Sequence, residues 1–399
     1  MGEMPTETPG SVEELAQILR ESGDSRRAVE LGGNFTKRAM GGPTASGGLM
    51  ISTRRLDQIA AYEPKDLTIS VGAGMGFADL TAALRRQGQM LPLDPPFAAS
   101  ATIGGVVATN GSGPRRRRYG TARDMVIGMT FVTADGSVVR SGGMVVKNVT
   151  GLDMAKLMIG SFGTLAAIAS INFKLFSLPE MERTFVGVCE SREPLLALRD
   201  VILRGALQPV AIDLLNPDAA ALAAADLPRG HLLVTQVTGN SRAIDRYQRE
   251  YERLAKESQI PTFSALREDA AAGVWDAIQN LTPGAAGERG CILRLSTQPS
   301  RLSRMFEAAV SANGPLPLVA RAGAGVGYAY CSNSNSARHL VERSHAEGLR
   351  VVVESSPPEE KEKLLLWPRP GPDFALMERL KDSLDPHRVL NPGRLFGRL

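Results

Sequence analysis

The chain of 399 residues is poor in the residues that build metal centres or carry covalent cofactors. It has three cysteines (Cys189, Cys291, Cys331) and four histidines (His231, His339, His345, His387). No two cysteines form a C-x-x-C pair, so neither a zinc site nor an iron–sulfur cluster can be assembled from them alone, and no bound metal is expected. The sparse, odd count fits a reducing compartment, and a cytoplasmic location is the expectation. No apolar run approaches the ~20 residues of a membrane span, and Met1–Gly10 is polar, which leaves at most peripheral membrane association. Charge of one sign is scarce too. The formal net charge is +4 and the run Arg115–Arg118 can account for much of it, which argues against a general nucleic-acid surface. Internal repeats and low-complexity tracts are missing as well.

What the chain has in abundance is glycine, 41 residues, together with 25 prolines, a composition suited to tight turns and close backbone approaches. Its length allows two or three domains. Ser11-Val12-Glu13-Glu14 reads as a capping box opening an amphipathic helix that stops at Gly23. A strand over Ala28–Leu31 then feeds the loop Gly32-Gly33-Asn34-Phe35-Thr36-Lys37. Successive N–H groups in such a turn form a concave nest for phosphate, and Lys37 adds positive charge; a purely structural Gly-Gly turn is the plain alternative. Gly72-x-Gly74-x-Gly76 lacks the third glycine of a dinucleotide fingerprint at the required spacing and reads as a tight strand-to-helix connection. Small residues then crowd the segment from Pro95 to Gly120, through Thr102, Gly104, Gly105, Asn110, Gly111 and Gly113, as if the backbone were pressed against something flat and large. Met129–Thr133 and Ser137–Arg140 read as a hairpin, and Ala167–Leu175 alternates as a half-buried strand.

From about residue 181 the glycine motifs thin out and helical and strand periodicities alternate, which reads as an α+β domain with a largely antiparallel sheet covered by helices. The expected organisation is a glycine-rich first domain over 1–180, a second domain over 181–367, and a C-terminal segment, 368–399, returning to the first domain.

Taken in order, these pieces resemble the FAD-linked oxidases of the vanillyl-alcohol oxidase (PCMH) type. The G-G-x-x-[ST]-K loop falls on Gly32–Lys37, the T-[IV]-G-G…A-x-N segment on Thr102–Asn110, and the G-S-x-G-T-L turn on Gly160–Leu165. The closing D-P-x-x-[VI]-L-N-P-G-[RK] falls on Asp385–Arg394. Gly88–Pro96 and Ser112–Arg116 point within that family to the flavoprotein subunits of glycolate oxidase. The resemblance implies an α+β fold: a PCMH-type FAD-binding domain of two α+β lobes plus an α+β cap. It implies FAD, its pyrophosphate wrapped by Gly32, Gly33, Asn34, Phe35, Thr36 and Lys37. Thr102, Gly104, Gly105, Asn110 and Ser112 would line the ribityl chain and isoalloxazine, Ile168 the adenine side, and Asn391 the ring, with Pro95, Gly113 and Tyr119 also at the cofactor.

By the same resemblance the chain is one component of a glycolate (D-2-hydroxy acid) oxidase or dehydrogenase, passing electrons to an iron–sulfur subunit beside a sister FAD subunit. A non-catalytic assembly subunit and an NADPH-dependent flavin reductase on the same fold are the alternatives. With no histidine or cysteine before Cys189, the flavin is expected to be non-covalent. Where relatives show H-x-G-D-G-N-x-H, this chain has Arg321-Ala322-Gly323-Ala324-Gly325-Val326-Gly327-Tyr328, and no catalytic base can be named. Arg115, Arg116, Arg117 and Arg118 form either a solvated loop or a dock for an acidic partner or the substrate carboxylate.

Overall fold

The computed structural model describes residues 4–44, 48–145, 152–224, 226–284, 290–310 and 316–399. The segment Lys147–Gly151, singled out in the sequence, lies outside the described residues. The chain divides into two compact units. The first comprises Met1–Ser112, Gly120–Leu178 and Arg369–Leu399; the second comprises Gly113–Tyr119 and Pro179–Pro368.

The first unit holds two main sheets. In the smaller, Thr6–Glu7, Leu49–Ser52 and Val29–Gly32 run parallel, and Leu390 of the C-terminal tail bridges to Val29. The helix Val12–Asp24 begins where Ser11 Oγ accepts from the Glu14 amide. Glu14 reaches back to the Gly10 amide at 2.7 Å, one residue before the cap. Its buried stripe, Leu15, Ala16 and Leu19, packs with Val29, Ile51, Val132 and Leu390, each fully buried leucine contributing about 1.5–3 kcal/mol. The larger sheet is antiparallel, in the order Ile59–Glu63, Thr68–Gly72, Ala167–Lys174, Val126–Val132, Val138–Gly142. The hairpin joining its last two strands turns at Gly136, with φ +78°.

The second unit is built on one eight-stranded antiparallel sheet. Its order is Thr262–Ala265, Met181–Cys189, His231–Gly239, Ala211–Leu215, Leu318–Arg321, Val326–Cys331, Cys291–Ser296, Arg350–Ser355. Alternation sorts its side chains onto two faces. Phe185, Leu233, Leu293 and Ala329 pack under the helices Glu193–Arg204, Ser241–Glu257, Ser303–Val310 and Ser334–Ala346. Val186, Leu232, Val319 and Ile292 pack on the opposite face with Pro217–Ala223 and Glu268–Gly284.

Candidate functional site

The first unit carries a cleft of about 690 Å³. One wall is the loop from Gly32 to Arg38, which leaves the strand Val29–Gly32; another is the helix Ile103–Ala108. Phe162, Gly163, Ala166, Ile168, Thr53 and Arg394 complete it.

The loop is held from behind. Ser52 Oγ donates to the Gly33 carbonyl at 2.8 Å, Thr53 Oγ1 to the Gly32 carbonyl at 3.3 Å, and Asn34 Nδ2 to the Ser100 carbonyl at 2.8 Å. With its carbonyls engaged there, the amides of Asn34, Phe35 and Thr36 donate to no protein acceptor among the described residues. An unbonded run of amides beside a cation is an anion-binding concavity. The cations are present: Lys37 is 7% exposed, with Nζ 5.9 Å from the Phe97 ring centroid, and Arg394 donates through Nη2 to the Lys37 carbonyl at 3.1 Å. Arg38 forms a two-pronged pair with the buried Glu30 at 2.8 and 2.7 Å.

The helix wall starts at Thr102, whose hydroxyl accepts from the Gly105 amide at 3.3 Å. Two glycines at this wall have different reasons to be glycine. A Cβ on Gly33 would stand 2.1 Å from Thr102 Oγ1, so Gly33 is required by the close approach of loop and helix. A Cβ on Gly105 would meet only Thr102 Oγ1, at 3.3 Å, and otherwise point into space. That open face at Gly105, the unbonded amides and the buried Arg394 Nε without a hydrogen-bond partner among the described residues together suit a flat ligand carrying phosphate.

The tail closes the site from outside. Asn391, at φ +40°, accepts from the Leu31 amide at 2.8 Å and donates to the Phe162 carbonyl at 2.7 Å, tying the loop strand to the Phe162 turn. It supports the cleft without lining it. Of the residues expected at the cofactor, Gly32–Lys37, Thr102, Gly104, Gly105 and Ile168 line the cleft. Pro95 and Ser112 are buried outside the lining, and Asn110, at φ +50°, follows the helix end with its Oδ1 buried and without a hydrogen-bond partner among the described residues. Gly113 and Tyr119 belong to the second unit. Phe162, Thr109, Ala108 and Arg394 also line the cleft; all four fall in segments that the sequence brought out, but none was expected at the cofactor.

In the second unit, the short helix Arg116–Tyr119 carries part of the arginine run. Arg117 is committed internally, donating to the Gln208 side chain and to the Gly323 carbonyl at 3.3 Å, and burial pushes its pKa down. Arg118 is exposed. Where relatives carry histidines, Arg321 pairs with Asp213, its register partner on the neighbouring strand, and its guanidinium lies 5.5 Å from the Tyr328 ring. Arg294, two strands along, has its Nε buried without a hydrogen-bond partner among the described residues. Burial pushes the Cys189 thiol up, Cys291 to about 11 and Cys331 to about 12, so these thiols stay protonated at neutral pH.

Residues 6–142 match the FAD binding domain family, and residues 359–395 match the C-terminal domain of FAD linked oxidases. The chain is 26% identical to glycolate oxidase subunit GlcD of Bacillus subtilis, over 98% of this chain and 88% of that one. It is 27% identical to D-2-hydroxyglutarate dehydrogenase of Xanthomonas citri pv. viticola, over 97% and 88%. Identity to glycolate oxidase subunit GlcE of Escherichia coli is 37%, over 41% of this chain and 47% of that one. Among solved structures, alkyldihydroxyacetonephosphate synthase superposes with a TM-score of 0.75 at 15% identity, covering 97% of this chain and 76% of that one. The 4-ethylphenol oxidase of Gulosibacter chungangensis superposes with a TM-score of 0.72 at 18% identity, covering 98% and 88%. These likenesses are of fold.

Proposed function

Because this chain belongs to the FAD-linked oxidases of the vanillyl-alcohol oxidase (PCMH) type, we propose that it oxidises a small 2-hydroxy acid, glycolate first among them, as one subunit of a complex whose iron–sulfur chain receives the electrons. The observation that carries this is the cleft: a cationic, glycine-walled cavity lined mostly by residues of the segment that matches FAD binding domains, within a chain similar over nearly its whole length to proteins named for 2-hydroxy acids. Bound FAD supplies what side chains lack, acceptance of a hydride and release of its electrons one at a time. The chain's own residues hold and shield it. The amides of Asn34–Thr36, with Lys37 and Arg394, offer positive potential to a diphosphate, while Ala108, Phe162, Ala166 and Ile168 give the cleft apolar walls that exclude water.

The acid's carboxylate calls for a cation. Among the arginines of the second unit, Arg117 is taken up by Gln208 and Gly323, and Arg321 by Asp213. In this reading the one-electron acceptor is assigned to a partner chain, because Cys189, Cys291 and Cys331 are buried and held protonated and cluster assembly uses thiolates.

The test is anaerobic. The yellow protein is mixed with glycolate, D-lactate, D-2-hydroxyglutarate or NADPH, and the visible flavin band is followed; dye-linked turnover is then measured with and without co-purifying subunits. Bleaching by a hydroxy acid, with turnover raised by the added subunits, is the expected result. Bleaching by NADPH alone would move the protein to the flavin reductases, and a flavin that no hydroxy acid bleaches would leave it an assembly or relay subunit.

A further inference from the structure

The lining of the cleft contains three cations, Lys37, Arg38 and Arg394, and no aspartate or glutamate. Arg38 and Glu30 neutralise one another through their two-pronged pair. Arg394 and Lys37 both bring positive charge to this lining, and a diphosphate diester carries two negative charges.

Arg394 is placed with unusual firmness for a residue so near the chain's last. Asn391 bonds Leu31 and Phe162 on one side of the turn, Gly393 takes φ +86°, and the Arg394 carbonyl accepts from the Gly42 amide at 2.8 Å. Its Nη2 reaches the Lys37 carbonyl, which sets the guanidinium beside the end of the phosphate-nest loop. Yet its Nε–H is buried and has no acceptor among the described residues. A guanidinium fixed by one prong, with a buried donor unsatisfied at the mouth of an acid-free cleft, is built to receive an anionic oxygen.

We propose that Arg394 is a diphosphate-binding residue, which takes a phosphate oxygen of the cofactor through Nε–H and a remaining Nη–H. This rests on the FAD reading above and adds to it a side chain from the segment that follows the helix Phe374–Leu384. A guanidinium could instead address a carbonyl oxygen of the flavin ring, so the decisive comparison is between ligands that have one part and not the other.

The flavin-stripped full chain is titrated with FAD, ADP and riboflavin, as wild type, Arg394→Gln and Arg394→Lys. Arg394→Gln should weaken FAD and ADP alike, by about ten- to a hundredfold, the loss expected for a charged hydrogen bond, and leave riboflavin unchanged. Arg394→Lys, which keeps the charge and loses the fork, should fall between. Undiminished ADP binding in Arg394→Gln sinks the proposal, and so does a loss for riboflavin equal to that for ADP. A wild type that binds neither FAD nor ADP takes down the FAD reading and this one with it. Because Arg394 also braces Lys37, the apo melting midpoints are compared first. If the Gln variant fails to fold, the decision passes to the wild type with ¹⁵N-labelled arginine. One Nε–H resonance, absent in Arg394→Lys, should shift on adding ADP, and an unmoved resonance overturns the assignment.

Discussion

Lys381 Nζ lies 2.6 Å from Asp385 Oδ2, one helical turn away, with both side chains wholly buried. The ammonium has three donors and all three are used: the others go to the carbonyls of Thr164, at 2.7 Å, and Leu390, at 3.0 Å. Asp385 in turn accepts from the amides of Val389, at 3.0 Å, and Leu390, at 2.8 Å. The pair therefore bends the tail back onto Val29 and sets the base from which Asn391 and Arg394 reach the cleft. Lys381→Met strands a buried carboxylate, which costs about 3–5 kcal/mol. Urea unfolding of the flavin-stripped protein should show that loss, together with weakened FAD binding; an unchanged midpoint would contradict the role given to the pair.

Gly33 and Gly105 should fail in different ways. The Gly33→Ala methyl meets Thr102 Oγ1 at 2.1 Å, so the apo-protein itself should melt earlier. Gly105→Asp places its side chain into the cleft, with Thr102 Oγ1 as its only close neighbour, and should leave the apo-protein's stability nearly unchanged while abolishing the gain from FAD. For the wild type that gain is about 2.7 kcal/mol at a hundredfold excess over Kd. A Gly105→Asp protein that still gains stability from FAD would falsify this placement of the cofactor.

Two strands of the second unit, Leu318–Arg321 and Val326–Cys331, are legible in the sequence as short, mainly apolar runs. Met181–Cys189 was not read as a strand because Glu182, Arg183 and Gly187 break its pattern. It forms nonetheless, paired on both sides, along nine residues with His231–Gly239. Ile59–Glu63 escaped for the opposite reason, as a largely exposed edge strand with no buried face to produce a period. In the site, glycine spacing brought out the loop Gly32–Lys37 and the helix at Thr102. It says nothing about Arg394, which reaches the cleft only through the long-range bonds of the tail, or about the unit to which Gly113–Tyr119 belongs, since the arginine run there marks charge and not a crossing into the second unit.

His231 gives the folded protein a pH dependence with a definite sign. Burial lowers its pKa, opposed by the 2.9 Å hydrogen bond to the Glu190 carbonyl. A folded pKa below the unfolded value means the unfolded chain binds more protons. The histidine's contribution is therefore present above the unfolded pKa of about 6.5 and is lost as pH falls below it. Urea midpoints measured from neutral to mildly acid pH should drop more steeply for the wild type than for His231→Gln. Parallel curves would count against the assignment. The residue is only partly buried, so the difference should be small.

Flavin attachment should be non-covalent, because the cleft is lined by neither histidine nor cysteine. Acid precipitation of the yellow protein should leave the colour in the supernatant. Colour retained in a washed, denatured pellet would show a covalent bond and place another residue type at the ring.

The last prediction concerns how the arginine run is held. Gly323 has room for nothing larger because Arg117 crosses it: a Cβ there would lie 2.3 Å from Arg117 Cδ. Arg117 is fixed by the Gly323 carbonyl and by Gln208, whose loop is itself braced, since Tyr247 donates to the Gln208 carbonyl at 3.0 Å and Tyr251 to the Leu207 carbonyl at 2.9 Å. Gly323→Ala alone should therefore destabilise by overpacking, about 1–3 kcal/mol. Arg117→Ala alone should lose a charged hydrogen bond, about 1.5–3 kcal/mol. Combined, the two losses should not add, because once the arginine is gone the methyl's closest remaining neighbour is Ile212 Cγ2, at 3.1 Å. A double-mutant cycle by urea unfolding should return a coupling of about 0.5–3 kcal/mol in the relieving direction. Strict additivity would mean that Arg117 does not lie over Gly323 in solution, and would return Arg117 to the solvated or partner-facing role that the sequence left open.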